Sequence, residues 1–427
     1  MELQLPKGVR DFPPDEALAR DALVEKLKRV FERYGYNPLE TPTFERLDVL
    51  AAKYAGGDEI LTETFRFRDQ GKRDLGLRYD LTVPLARFVG MNPQLKLPFK
   101  RYAVGRVFRD GPVKLGRYRE FYQCDADIIG TKSVLADAEC IRVAVAGFKA
   151  LGIPVTISVN NRKLLEALLA KGGVPTEKAV AAMLILDKVK KVALADLKKE
   201  LAEKDIPVES VDFIITASAD KQTTEEKLAA IKEYLGSDSA GYQEVVELLG
   251  YLQGVETVVF DPSLARGLAY YTGTVFEGYA VESVVTSSVC GGGRYDTLIG
   301  GLLGKPDAYP AVGFSFGLEP IMDVLREQEK GAAQRKTKVQ VYLIPIKTLT
   351  ACAAIAERLR AAGVNVDMDL AGKSISKNLD YANSYGIPFV VIAGQQELSQ
   401  SKVKLKSMET GQEEILSVDE VIARLKA

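Results

Sequence analysis

Two neighbouring stretches, FKRYAVGRVFRD (residues 99–110) and YREFYQCDADII (residues 118–129), constrain this chain more than any other part of it. Both read as strands, and only the polar loop GPVKLGR separates them. A connection that short favours an antiparallel pair, because parallel neighbours need a crossover of a dozen or more residues. Side chains alternate faces along a strand. In the second stretch Tyr122, Cys124, Ala126 and Ile128 therefore share a face suited to a core, while Arg119, Phe121, Gln123, Asp125 and Asp127 share the other. A solvent-facing strand accounts for that polar set. So does a site that stacks a ring and fixes several polar groups. Arg109 has the same parity on the first strand and is placed to reach such a site.

Around this pair the pattern predicts an amphipathic helix over 15–34, with Leu23, Leu27, Val30, Phe31 and Tyr34 at helical spacing and Gly35 as its C-cap. LGLRYDLTVPLARF reads as a short strand leading into a helix, with Thr82 near the N-cap. A helix over 134–151 ends at Gly152, and IPVTISV follows as a strand. Residues 162–252 then change character, becoming rich in Lys, Glu, Ala and Leu, and are expected to form a helical insertion at about 172–252. Strand-like sequence returns at TVVFDPS and runs through VCGGGRYDTLIG to AVGFSFGLEPIMDVL. The charged segment 326–338 has the composition of a linker. Beyond it VQVYLIPI, a helix over 348–362, VNVDMD, a helix near 375–385, PFVVIAG and KVKLKSM alternate as β-α-β-α-β-β, the mark of a separate small α/β domain. The expected division is 1–325, linker 326–338 and 339–427.

The chain of 427 residues contains no histidine. That excludes Ser-His-Asp and Cys-His catalysis, histidine-ligated zinc and a histidine general base. Chemistry must run on carboxylates, arginines, tyrosines and positioning. A net charge of −1 gives no global basic field, so a nucleic-acid partner would need local patches. Four cysteines without C-x-x-C spacing are expected as buried thiols in a reducing compartment. No apolar run reaches 18 residues and the N-terminal stretch has no secretory hydrophobic region, so the expected location is cytoplasmic, away from membranes. Asp80 in LRYDLT stands where a strand meets a helix, which suits a turn or capping carboxylate as well as a ligand contact. The glycines of CGGGRYD permit close backbone approach. ARGLAYYTGTVFE, from Ala265, places an arginine and two tyrosines ahead of another strand-like run.

Taken together, GRYREFYQCDAD, LRYDLT, ARGLAYYTGTVFE and CGGGRYD resemble the class II histidyl-tRNA synthetases, and the resemblance extends over nearly the whole chain. YGYNPLETPTFE, with Pro42, is similar to class II motif 1, normally a dimerisation element; VFRDG through REFYQ is similar to motif 2. The resemblance implies an α+β fold: a class II synthetase-type antiparallel sheet flanked by helices, a helical insertion, and a C-terminal α/β anticodon-binding-like domain. It implies that Asp80, Thr82 and Gln123 hold the amino group of L-histidine and that Asp127 and Tyr271 bond its imidazole nitrogens, with Tyr270 in the same pocket. Arg266 would neutralise the substrate carboxylate and the ATP α-phosphate. Arg109 would reach the same phosphate, Phe121 would stack on adenine, and Arg119 would lie with them at the nucleotide. ATP with Mg2+, tRNA(His) and a homodimeric partner are implied with these roles. The chain departs from the family pattern at Ala269, usually aspartate, and at Pro320, where most class II synthetases carry an arginine for ATP. Losing that charge-assisted bond would cost on the order of 1.5–3 kcal/mol. The alternative is a synthetase paralogue, the non-catalytic, histidine-sensing subunit of ATP phosphoribosyltransferase, which typically lacks the C-terminal domain.

Overall fold

Phe99–Phe108 and Glu120–Ile129 pair antiparallel, as so short a connection demands, with Arg101 opposite Asp127 and Gly105 opposite Gln123. The computed structural model describes residues 2–51, 62–113, 118–189, 192–218, 222–266, 270–305, 308–328 and 336–426. Part of the connecting loop and most of the expected linker lie outside these. Two compact units result, one formed by Met1–Arg10 with Ala22–Gln328 and the other by Asp11–Asp21 with Glu329–Ala427.

In chain order the strands of the larger unit are β1 (Asn37–Pro38), β2 (Phe44–Arg46), β3 (Arg66–Arg68), β4 (Asp74–Leu77), β5 (Phe99–Phe108), β6 (Glu120–Ile129), β7 (Val155–Asn161), β8 (Val258–Phe260), β9 (Thr274–Ala280), β10 (Cys290–Arg294) and β11 (Ala311–Gly317). Eight of them form one sheet in the order β1-β5-β6-β11-β10-β9-β7-β8, parallel only at its two edge pairs. Strands β2, β4 and β3 make a separate small sheet.

The alternation of β6 divides this unit. Cys124, Ala126 and Ile128 enter a core shared with Leu27 and Phe31 from the helix Pro14–Arg33 and Phe148 from the helix Val134–Leu151. Phe316 of β11 meets Phe148 and Phe314 edge-on at 5.1 and 5.2 Å between ring centres, the favoured geometry for aromatic pairs. Both helices stop where the sequence places glycine: Gly35 and Gly152 have φ of +79° and +74°. Ser133 opens the second by accepting from the Leu135 N–H.

At the helix Thr82–Met91 the capping role open to Asp80 is the one observed. Asp80, not Thr82, does the capping, its Oδ1 accepting the N–H groups of Thr82 and Val83 at 3.0 and 2.9 Å. Its side chain lies just before the first turn, where free N–H groups point back toward it, whereas Thr82 is already helical.

Helices Arg162–Lys171, Ala179–Leu186, Leu194–Glu203, Glu209–Ala217, Thr224–Leu235 and Ala240–Tyr251 fill the Lys/Glu-rich region. Their apolar faces make a second core around Leu168, Met183, Leu201, Ile214 and Ile231. Thr223 and Glu226 form a reciprocal capping box at one of them.

In the smaller unit β12 (Val341–Pro345), β13 (Val366–Met368), β14 (Phe389–Ala393), β15 (Lys402–Ser407) and β16 (Glu413–Ser417) form a mixed sheet in the order β13-β12-β14-β15-β16. Val341 and Leu343 of β12 face one apolar cluster and Tyr342 and Ile344 another, so the sheet is covered on both sides. β16 and the helix Val418–Lys426 extend the β-α-β-α-β-β pattern expected here. No described helix is long and apolar enough to cross a membrane.

Phe316→Ala empties the meeting point of helices and sheet. It is expected to cost about 3–5 kcal/mol, read as a lowered denaturant midpoint for the larger unit.

Candidate active site

The polar face of β6 opens on a cavity of about 200 Å3. That is below the roughly 300–1,000 Å3 of clefts that take drug-sized molecules, and it suits a ligand of amino-acid size. Asp80, Thr82, Arg109, Gln123, Asp127, Arg266, Tyr270 and Tyr271 all border it. They come from the start of the helix Thr82–Met91, the end of β5, the middle of β6 and the segment before β9. Asp125 borders it as well, so the polar side of β6 is turned toward a cavity and not toward bulk solvent.

Carboxylates make one wall. Asp80, Asp125 and Asp127 are each less than 10% exposed. Burial pushes the Asp80 and Asp127 carboxyls above the usual range and Asp125 up to about 7, with the Arg101 charge opposing the shift at all three. Arg101 lies across from Asp127 on β5, its Nη2 2.7 Å from Asp127 Oδ2. The Tyr295 hydroxyl donates to the other oxygen, Asp127 Oδ1. Gln123 donates through Nε2 to Ser315 Oγ at 3.2 Å, which leaves its Oε1 without a hydrogen bond.

Two cations, Arg266 and Arg109, border the same cavity. Arg266 pairs with Glu277 at 2.9 Å and lies 5.7 Å from the centre of the Tyr271 ring. β9 begins only at Thr274, so Arg266 and Tyr271 both precede it in the chain. Gly267 and Ala269 lie outside the described residues. The Arg109 guanidinium sits 4.2 Å from the Tyr79 ring centre and 5.1 Å from that of Phe121. Phe121 and Arg119 do not border the cavity. Both lie beside Arg109: Arg119 accepts the Arg109 N–H through its carbonyl and pairs with Asp110 at 3.0 Å.

Two glycines make this crowding possible. A Cβ on Gly313 would fall 1.9 Å from Asp127 Oδ1, and one on Gly291 would fall 1.7 Å from Arg266 Nη1. Pro320 sits in the first turn of the helix Leu318–Gln328, where a missing N–H costs nothing. Its neighbour Glu319 is buried and accepts the Tyr122 N–H of β6.

Sequence reasoning missed Arg101, Tyr295 and Glu277. Each carried a signal. Arg101 has the parity of Arg109 on β5, Tyr295 stands inside CGGGRYD, and Glu277 ends ARGLAYYTGTVFE.

Residues 8–321 match the histidyl-tRNA synthetase family model, and residues 340–427 match the anticodon binding domain. The chain belongs to the histidyl-tRNA synthetase family. Histidine--tRNA ligase 1 of Bacillus cereus (strain ATCC 10987 / NRS 248) is 43% identical over 419 residues, covering 97% of this chain and 95% of that one. Histidine--tRNA ligase 2 of Shouchella clausii is 40% identical, with 96% of each chain covered. Among solved structures, histidyl-tRNA synthetase from Nostoc sp. PCC 7120 superposes with a TM-score of 0.86 at 29% identity, covering 100% of this chain and 99% of that one. An ATP phosphoribosyltransferase regulatory subunit/histidyl-tRNA synthetase from Bacillus halodurans shares the fold, with a TM-score of 0.75 at 22% identity over 92% of this chain and 98% of that one. The eight-stranded sheet flanked by helices, with a separate C-terminal domain carrying its own sheet, is the class II fold of this synthetase family.

Gly313→Ala tests the crowding. Overpacking is expected to lower stability by about 1–3 kcal/mol. A crystal structure of the variant should show the Asp127 carboxyl displaced from Tyr295.

Proposed function

We propose that the chain is a histidine--tRNA ligase: it activates L-histidine with ATP to histidyl-adenylate and transfers the histidyl group to tRNA(His). The observation that carries this is the meeting of buried carboxylates, tyrosines and two arginines in one amino-acid-sized cavity, in a chain 43% identical along nearly its full length to a histidine--tRNA ligase.

On this reading Asp80, Thr82 and Gln123 hold the α-amino group. Thr82 offers its hydroxyl and Gln123 its free Oε1, while Asp80 supplies a charge. Asp127 and Tyr271 take the two imidazole nitrogens, with Tyr270 packed against Tyr271. Arg266 faces the substrate carboxylate, and Arg109, with Arg119 and Phe121 beside it, faces the nucleotide. The carboxylate oxygen attacks the α-phosphorus in line, a P–O bond forms, and the bond to pyrophosphate breaks. The attacking group is already ionised, so no general base is required and the absence of histidine is no obstacle. Arg109 and Arg266 neutralise charge that builds on the phosphoryl oxygens, and preorganisation supplies the remainder. Mg2+ enters as part of the substrate MgATP.

Specificity follows from the same groups. A side chain without two ring nitrogens leaves Asp127 and Tyr271 buried and unmatched, a mismatch able to discriminate by roughly 10⁴–10⁵ without editing. Residues 1–325 carry this chemistry in the proposed division, 326–338 link, and 339–427 meet the anticodon. The enzyme works as a cytoplasmic homodimer through the motif 1 region around Pro42. A regulatory role has less support, because the C-terminal domain is present and the cavity keeps both cations.

ATP–pyrophosphate exchange measured with each amino acid tests the proposal. Exchange that depends on histidine alone supports it; histidine binding without exchange points to the regulator. Asp127→Ala is expected to lower histidine-dependent exchange by at least about 10³-fold with the fold intact, the order expected when a buried polar partner is left unmatched. Near-normal exchange would remove Asp127 from the imidazole.

A further inference from the structure

We propose that Arg101 is a positioning residue for amino-acid recognition, holding Asp127 as a carboxylate so that the imidazole N–H meets a charged acceptor at neutral pH. The proposal rests on the reading of Asp127 as the imidazole contact.

Arg101 is 1% exposed, and β5 sets it directly across from Asp127. Its Nη2 lies 2.7 Å from Asp127 Oδ2 and 3.9 Å from Asp125 Oδ2, and it donates to the Leu81 carbonyl at 3.2 Å. One cation thus serves two carboxylates on the same face of β6. Its Nε and Nη1 make no hydrogen bond. A buried ion pair with polar atoms left over is a poor device for stability, since an apolar side chain of similar volume often does as well or better. Its value lies in the charge it sets at the cavity.

Tyr295, after β10, donates to Asp127 Oδ1. Asp80, before the helix Thr82–Met91, and Asp125, on β6 itself, are both acidic. On the core side Tyr36 and Cys140 stay neutral, because burial pushes both well up. Arg109 and Arg266 border the same cavity, but Arg266 is engaged with Glu277 and Arg109 is packed between Tyr79 and Phe121. Among the described residues, Arg101 is the cation in contact with Asp127.

Burial drives Asp125 and Asp127 toward their protonated forms and the Arg101 charge pulls both back. Without Arg101 the two buried carboxylates lose the cation in contact with them, with Arg78 left acting on Asp125 alone, and the pair takes up a proton at higher pH. Protonated Asp127 is no longer a charge-assisted acceptor. Because the binding form is the carboxylate, histidine affinity in an Arg101 variant falls as pH drops and returns as pH rises.

The test is histidine-dependent ATP–pyrophosphate exchange by the full chain across about pH 6 to 9, with KM for histidine and for ATP determined separately. Titration of the free histidine imidazole is common to all variants, so each profile is compared with the parent. Arg101→Met is expected to raise KM for histidine about tenfold or more at pH 7 and leave KM for ATP within about twofold. The acid limb of kcat/KM for histidine moves up by about one pH unit or more, and Arg101→Lys restores most of the loss. Parental KM for histidine at every pH would overturn the proposal. So would a loss shared equally by both substrates, insensitive to pH and unrelieved by lysine, which is the signature of a purely structural residue. If Arg101→Met does not fold, Asp125→Asn decides. Removing the competing carboxylate should move the acid limb to lower pH, and a limb that stays put or rises defeats the proposal. A parent with no histidine-dependent exchange defeats the ligase reading itself, whereas an active parent with an unaffected Arg101 variant defeats only this inference.

Discussion

The larger unit depends on one constraint, the two-residue period of β6. Flanked by β5 and β11, this strand must send alternate side chains to opposite sides of the sheet. One side takes Cys124, Ala126 and Ile128 into an aromatic core anchored by Phe31, Phe148 and Phe316. The other carries Gln123, Asp125 and Asp127 to the cavity. A slip of one residue would exchange the two sets, burying carboxylates in the core and placing apolar groups at the site. Stability and the lining of the cavity are therefore set by the same register, and apolar burial on one face pins the geometry of the polar face.

That polar face is costly. Three carboxylates and Arg101 are all less than 10% exposed, and removing charges from water is repaid only when partners are close and well aligned. The structure meets part of the cost with Tyr295, Arg101 and the helix N–H groups that cap Asp80. The rest stays open in atoms such as Gln123 Oε1 and Asp125 Oδ1, which a ligand bearing N–H groups can satisfy. The glycines of β10 and β11 belong to the same economy of space, since any side chain at Gly291 or Gly313 would occupy the positions of Arg266 or Asp127. Chemistry without histidine then becomes straightforward. On the proposed reading the nucleophile is a carboxylate that arrives charged, and the protein's task is to place it against phosphorus beside Arg109 and Arg266.

Much of this was legible in the chain. The antiparallel pair, the two faces of β6, the helix ends at Gly35 and Gly152 and the separate C-terminal α/β unit all rest on local signals of period and turn chemistry. Tertiary effects hid the remainder. Strand β16 escaped notice because it lies on a sheet edge with Ile415 mostly exposed, so its apolar alternation is weak. Arg101 was overlooked because a lone arginine in a strand reads as solvent-facing until its cross-strand partner is known, and partners are set by register, not by proximity in sequence.

A crystal structure with L-histidine bound tests the central claim most directly. The account predicts the imidazole between Asp127 and Tyr271, each within hydrogen-bond reach of a ring nitrogen, the amino group toward Gln123, and the carboxylate toward Arg266. Histidine bound with its ring against Arg109 and Arg266, or outside this cavity altogether, would contradict it.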